Sequence, residues 1–240
     1  MNKAGWEIPG LRQQRTLNEE TYAAILAAIC EGTVAPETRV NQDELAQKLG
    51  VSRQPVAQAL SLLRAQGFLR DTGRRGLIVA PIEREFFQAA YEIRSGLDPL
   101  AAELAAQRAS KSQIGTIREA LESGLDIIDS ASVKDLIEAD MRFHMCIYEA
   151  SGNPLIVQTM ELYWNHLRRA MAPVLRQQEE RKIVWQQHRS IFRTIESANV
   201  ALARSAALEH VQGASERVLA RMERPLPESI PQQPESLRSA

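Results

Sequence analysis

The chain has 240 residues, 44% hydrophobic and 25% charged, with a formal net charge of −1, the proportions of an ordinary globular protein. No apolar run reaches the roughly eighteen residues of a membrane span, and the opening MNKAGWEIPGLRQQR lacks the apolar core of a secretory signal; the reading is a cytoplasmic protein with no membrane partner. Charge is unevenly spread: between Asn41 and Ala80 six Lys/Arg stand against three Asp/Glu, so that segment is +3 and the remainder −4, and concentrated positive charge is a footprint for phosphate.

In chain order, Tyr22, Ile25, Leu26 and Ile29 recur at helical spacing, with Asn18 placed to cap the start and Gly32 to close the end. Asn41 followed three residues later by Glu44 predicts a capping box opening a short helix through Leu49. Gly50 supplies a turn and Ser52 caps a second helix, whose buried stripe is Val56, Ala59, Leu60 and Leu63. Pro55 falls in its first turn, where a missing N–H costs little, and Gly67 ends it. Two short helices across a tight turn make a helix-turn-helix. Phe68-Leu69-Arg70 and Leu77-Ile78-Val79 then flank a polar Gly/Arg-rich tip, a two-stranded wing.

From residue 83 onward no strand is predicted. Amphipathic stretches give helices near 83–95, 97–109, 112–129, 132–150, 154–176, 179–197 and 200–222, an antiparallel all-α bundle. The tail PLPESIPQQPESLRSA, with four prolines in sixteen residues, is predicted to be disordered. The fold class is therefore mainly α: a winged helix-turn-helix over 1–80, an all-helical bundle domain over 81–223 and a tail over 224–240. Cys30 and Cys146 have no metal-type spacing and read as small buried hydrophobes.

The buried stripe of the second helix turns Arg53, Gln54, Ala57, Gln58 and Ser61 outward. In such a helix the N-terminal residues reach base edges: Arg53 suits guanine, Gln54 and Gln58 suit adenine, and Ser52 stands at the helix start. On the wing, Arg74 and Arg75, followed by Gly76, would hold phosphate or enter the minor groove. This part of the chain resembles the GntR family of bacterial regulators, through the helix of Tyr22–Glu31, the stretch NQDELAQKLGVSRQPVAQALSLLRAQGFL and the GRRG wing, over residues 17–80. Family members often carry arginine where this chain has Asp43, and Arg-Glu where it has Ala57-Gln58. Two common DNA contacts are therefore missing and the usual operator is not carried over. A dimer reading palindromic DNA is implied.

The four histidines, 144, 166, 188 and 210, are each 22 residues from the next. Helix breaks fall midway between successive pairs, and residues equidistant from a hairpin turn share one height. The spacing thus sets four imidazoles at one level of a bundle, with Asp140 added because i and i+4 project together. Asp140, His144, His188 and His210 read as a site for Zn²⁺, with Ni or Mn as alternatives, and His166 as either a further ligand or part of the pocket lining. This half resembles the FCD domain of the FadR subgroup through YEIRSGLDPLAAELAA, DMRFHMCIYEASGNP and the later histidines. In its metal-binding members an Asp, a His four residues on and two later histidines are the ligands, matching the same four positions. The resemblance also implies a small organic acid effector bound by an arginine. Arg94 is the candidate, or else a partner of Glu92 or Asp98; Arg168 and Arg169 are weaker candidates, and Trp164 and Trp185 read as core or pocket wall. The function expected is a ligand-responsive transcription regulator, a repressor released by its effector. Metal sensing is the alternative, and a metalloenzyme is set aside because no nucleophile or general base accompanies the cluster.

Overall fold

The structure, a computed structural model, describes residues 16–73 and 76–222, and divides into two compact units that meet in sequence at Ile82 and Glu83. In the first, α1 (Leu17–Cys30), α2 (Gln42–Leu49) and α3 (Arg53–Ala65) pack with β1 (Arg39–Val40), β2 (Leu69–Asp71) and β3 (Leu77–Val79). The predicted α3 stripe is buried, together with Ile25, Ile29, Ala46, Phe68, Leu69 and Val79.

Several local expectations need correction. Helix α1 is capped by Thr16, not Asn18: the Thr16 hydroxyl accepts from Glu19 N and the Glu19 carboxylate accepts from Thr16 N, a reciprocal box that places Asn18 inside the first turn. Gly32 does follow the helix end with φ of 77°. Asn41 caps α2 through Asp43 N and Glu44 N, but Glu44 does not reach back; its carboxylate meets Lys48 at 2.7 Å. Ser52 precedes α3 without a side-chain capping bond. The sheet has three strands in the order β1-β3-β2, all antiparallel, rather than two. Strand β1 is two residues long, too short for alternation to reveal. Both cysteines are half-buried rather than buried.

The second unit contains α4 (Arg84–Arg108), α5 (Lys111–Ile127), α6 (Val133–Ala150), α7 (Pro154–Leu175), α8 (Gln178–Glu196) and α9 (Val200–Met222). Six helices stand where seven stretches were predicted, because 83–95 and 97–109 form one continuous rod. Gly96 and Pro99 both disfavour a helix interior. Against them, Tyr91, Arg94, Asp98, Ala101, Ala102 and Ala105 are buried at helical spacing across the expected break, and α4 packs along α9. Burial of the whole stripe outweighs the local cost. The expected disorder beyond 222 concerns positions outside the described residues.

Gly124 on α5 is required by packing. A Cβ there would stand 1.7 Å from Cη2 of the buried Trp185, and neither the helix nor an indole in a full core can yield that distance without loss. Overpacking of this kind costs about 1–3 kcal/mol or more. Gly124→Ala is expected to lower the melting temperature of the second unit by about 4 °C or more, measured by calorimetry; an unchanged transition would contradict this packing.

Candidate functional site

Helix α3 presents Arg53, Gln54, Ala57, Gln58 and Ser61 as an exposed face, opposite its buried stripe. Arg53, the first helical residue, places Nε 2.9 Å from Asp43 Oδ1, and its carbonyl accepts from Gln42 Nε2. With Ser52 making no cap, the first N–H groups of α3 remain available, and a helix N-terminus with free N–H groups suits an anion. The wing closes through Thr72 N and Oγ1, both donating to Gly76 O. A Cβ at Gly76 would lie 2.8 Å from Thr72 Oγ1, so a larger residue there would require that hydroxyl to turn. Arg74 and Arg75 lie outside the described residues.

In the second unit α6 carries Asp140 and His144 one turn apart, α8 carries His188 and α9 carries His210, all four buried. The three histidines each offer a ring nitrogen within 4.8 Å of the others. His144 Nε2 and His210 Nε2 are 3.2 Å apart, and His188 Nε2 is 3.4 Å from Asp140 Oδ1. Ligands at about 2.0–2.1 Å from one ion stand about 3.0–3.4 Å from each other, so these pairs have suitable spacing. His166 is not drawn in: its ring packs on Phe86 at 4.6 Å between centroids.

The electrostatics favour ligands over charges. Burial first, then Arg94 and neighbouring cationic or imidazole groups, pushes His144 and His210 well below the usual histidine range and His188 down to about 3, so all three are neutral. Burial pushes Asp140 up to about 7, against the pull of Arg94. Gln187 Oε1 accepts from Arg217 Nη2 and therefore accepts also from His210 Nδ1, at 3.2 Å. That leaves the His210 Nε2 lone pair turned toward the cluster, as an outer-shell partner does for a metal-bound histidine. Both nitrogens of His188 are buried without a hydrogen bond; at 3.4 Å Asp140 is close but not aligned. A buried imidazole with no partner is costly, and a divalent ion would satisfy it. By this test the three imidazoles fit one ion, while Asp140 stands beside His188 and outside the three-histidine cluster.

Arg94 is buried and committed: Nε and Nη2 donate to Asp98 Oδ2 at 3.0 and 2.7 Å, while Tyr148 donates to Asp98 Oδ1 at 2.7 Å. Its guanidinium lies 4.8 Å from the ring centre of Trp164. The indoles of Trp164 and Trp185 pack 5.1 Å from His144 and 4.9 Å from His188, and both indole N–H groups are buried. A cavity of about 30 Å³, roomy enough for water or one carboxylate group, is walled by Arg94, Asp140, His210 and Arg217 among others. Neither Arg168, which pairs with Glu138 at 3.7 Å, nor Arg169 nor His166 lines it. A larger open groove of about 690 Å³ beside α5 and α8 is lined by Lys182, Arg189 and Arg193 but by no histidine. Arg217 and Gln187 escaped the sequence reading. Both had a signal: Arg217 is seven residues from His210 on one helix face, and Gln187 immediately precedes His188.

Comparison with known proteins accords with this geometry. Residues 17–79 match the family described as bacterial regulatory proteins, gntR family, and residues 89–213 match the FCD domain. The chain is 32% identical over 137 residues to the Nta operon transcriptional regulator of Aminobacter aminovorans, covering 55% of this chain and 63% of that protein. It is 24% identical over 208 residues to the HTH-type transcriptional repressor RspR of Escherichia coli (strain K12), covering 87% and 91%. Its fold is similar to that of E. coli McbR/YncC, with a TM-score of 0.77 at 17% identity, over 88% of this chain and all of that one.

Proposed function

Because the chain belongs to the gntR family of bacterial regulatory proteins and carries an FCD domain, we propose that this DNA-binding transcriptional regulator is a dimeric repressor whose second domain holds a divalent metal and, on it, a small organic acid. The domains of this reading are 1–80 for DNA, 81–223 for sensing and a tail over 224–240. The protein acts in the cytoplasm, where its DNA is; among the described residues no helix is long and apolar enough to cross a membrane. Its relatives are named as regulators, and the enzyme reading is not retained.

The observation that carries the sensor half is the buried His188, with both ring nitrogens unpartnered beside two neutral imidazoles and Asp140. Zn²⁺ is the first choice for three nitrogens and a carboxylate, Ni²⁺ or Mn²⁺ the alternatives. Four protein ligands leave an ion of higher coordination with open positions, and an acid binding there, near Arg94, changes the affinity for DNA if it prefers the free state. On the DNA side, two copies of α3 enter successive major grooves of a palindrome, with Arg53, Gln54 and Gln58 toward the bases and Ser52 and the Arg74-Arg75-Gly76 wing toward the backbone. The repressing sign follows the named repressor among the relatives.

Selection from random DNA with zinc-loaded protein, followed by fluorescence anisotropy, tests this. A palindromic sequence is expected to be enriched, and at least one small acid is expected to release it. Failure to enrich any sequence would refute the DNA-reading assignment. If metal-free protein holds the same DNA and added metal alone releases it, with no acid effective, the metal itself is the signal.

A further inference from the structure

Arg217 is a cation that the metal cluster leaves unused. It lies on the cavity wall two turns beyond His210 on α9, and its side chain is only 16% exposed. Its Nη2 is held by Gln187 Oε1 at 3.0 Å. Its Nε is buried and makes no hydrogen bond; the facing carboxylate oxygen, Glu180 Oε2, stands off at 3.8 Å. Glu180 belongs to the first turn of α8, one turn before the cavity-lining Val184, and reaches the cavity-lining Arg217. It has a second cation, Arg221, whose Nη2 is 3.3 Å from Oε1. Arg94, also lining the cavity, has two donors already spent on Asp98.

We propose that Arg217 is the anion anchor of this pocket, and that a compact carboxylic acid binds by taking the place of Glu180 at its Nε. The inference rests on the acid-effector reading above and assigns recognition of the acid to Arg217 while Arg94 stays with Asp98. A guanidinium N–H that is buried and unpaired is primed for a charge-assisted hydrogen bond, and Glu180 at 3.8 Å is a tethered carboxylate that neutralises it without making that bond. Displacement leaves Glu180 with Arg221, so no carboxylate is abandoned. The cavity of about 30 Å³ admits one carboxylate group, which restricts the acid to a small head at this point. Gln187 bridges Arg217 to His210, so the acid and the metal ligand share one hydrogen-bonded link, and the first turn of α8 is the segment released when the acid arrives.

Calorimetry on the zinc-loaded full-length protein, with acetate, lactate and succinate as probes, tests the assignment in two opposite directions. Arg217→Gln is expected to weaken the best-bound acid at least tenfold with zinc content unchanged. Glu180→Gln, which removes the competitor, is expected to tighten the same acid at least threefold; a Glu180 that merely supports the fold would leave binding unchanged or weaken it. Wild-type affinity in Arg217→Gln, or unchanged or weaker binding in Glu180→Gln, overturns the anchor while the acid-effector reading stands. If none of the acids binds the wild type, that reading falls and takes this inference with it.

Discussion

Arg53→Ala is expected to abolish sequence-specific DNA binding while leaving the rest of the molecule unaltered. The side chain is the first on α3, exposed and beside an uncapped helix start. A bidentate arginine–guanine contact discriminates by about 1–3 kcal/mol. In the proposed dimer the contact is lost twice, which corresponds to a fall in operator affinity between roughly thirtyfold and four orders of magnitude. The structural cost is small by comparison, because the ion pair given up, to Asp43, is exposed on both sides and such pairs contribute about 0.2–1 kcal/mol. Melting temperature and metal content should therefore match the wild type, and anisotropy on the selected operator should not. Wild-type operator affinity in the variant would remove α3 from the role of reading helix.

His188→Ala and His210→Ala should each strip the metal and blunt the response to acid. The three imidazoles lie within ligand reach of one another, so each variant leaves at most two histidines and Asp140. Elemental analysis by mass spectrometry is expected to fall from about one ion per chain to near zero. Full occupancy in both variants would refute the ligand set. The pH behaviour has a defined sign. Without metal, burial holds the Asp140 carboxyl protonated up to about pH 7, whereas the histidines, depressed by burial, are already neutral there. Metal uptake below pH 7 must therefore displace the carboxyl proton, so affinity rises with pH up to about 7 and then levels.

The helix-turn-helix was legible because one side of α3 reads apolar at helical spacing, and the core it enters is local. The height of the histidines was legible too, since 22-residue intervals centred on helix breaks fix how far each lies from its turn. Their azimuth was not. Helix α7 turns His166 onto Phe86 rather than toward the other three. Gly96 and Pro99 misled in the opposite way: they report local backbone preference, and the buried face of α4 against α9 overrides it. Thr16, rather than Asn18, caps α1 because the cap is decided by which residue leaves the helical backbone region, a matter of entry angle that side-chain chemistry alone does not fix. The Arg94–Asp98 pair was legible as an i,i+4 alternative, whereas Tyr148, fifty residues on, gave no such signal of closing on Asp98.

Trp164 and Trp185 give the second unit an optical property. Of the chain's three tryptophans, these two are buried and in ring contact with His144 and His188. Two intrinsic fluorophores thus flank the imidazoles where an ion would sit. An open-shell ion there would quench their ultraviolet emission and a closed-shell one would not, so the unlabelled protein reports which kind of ion it has taken up.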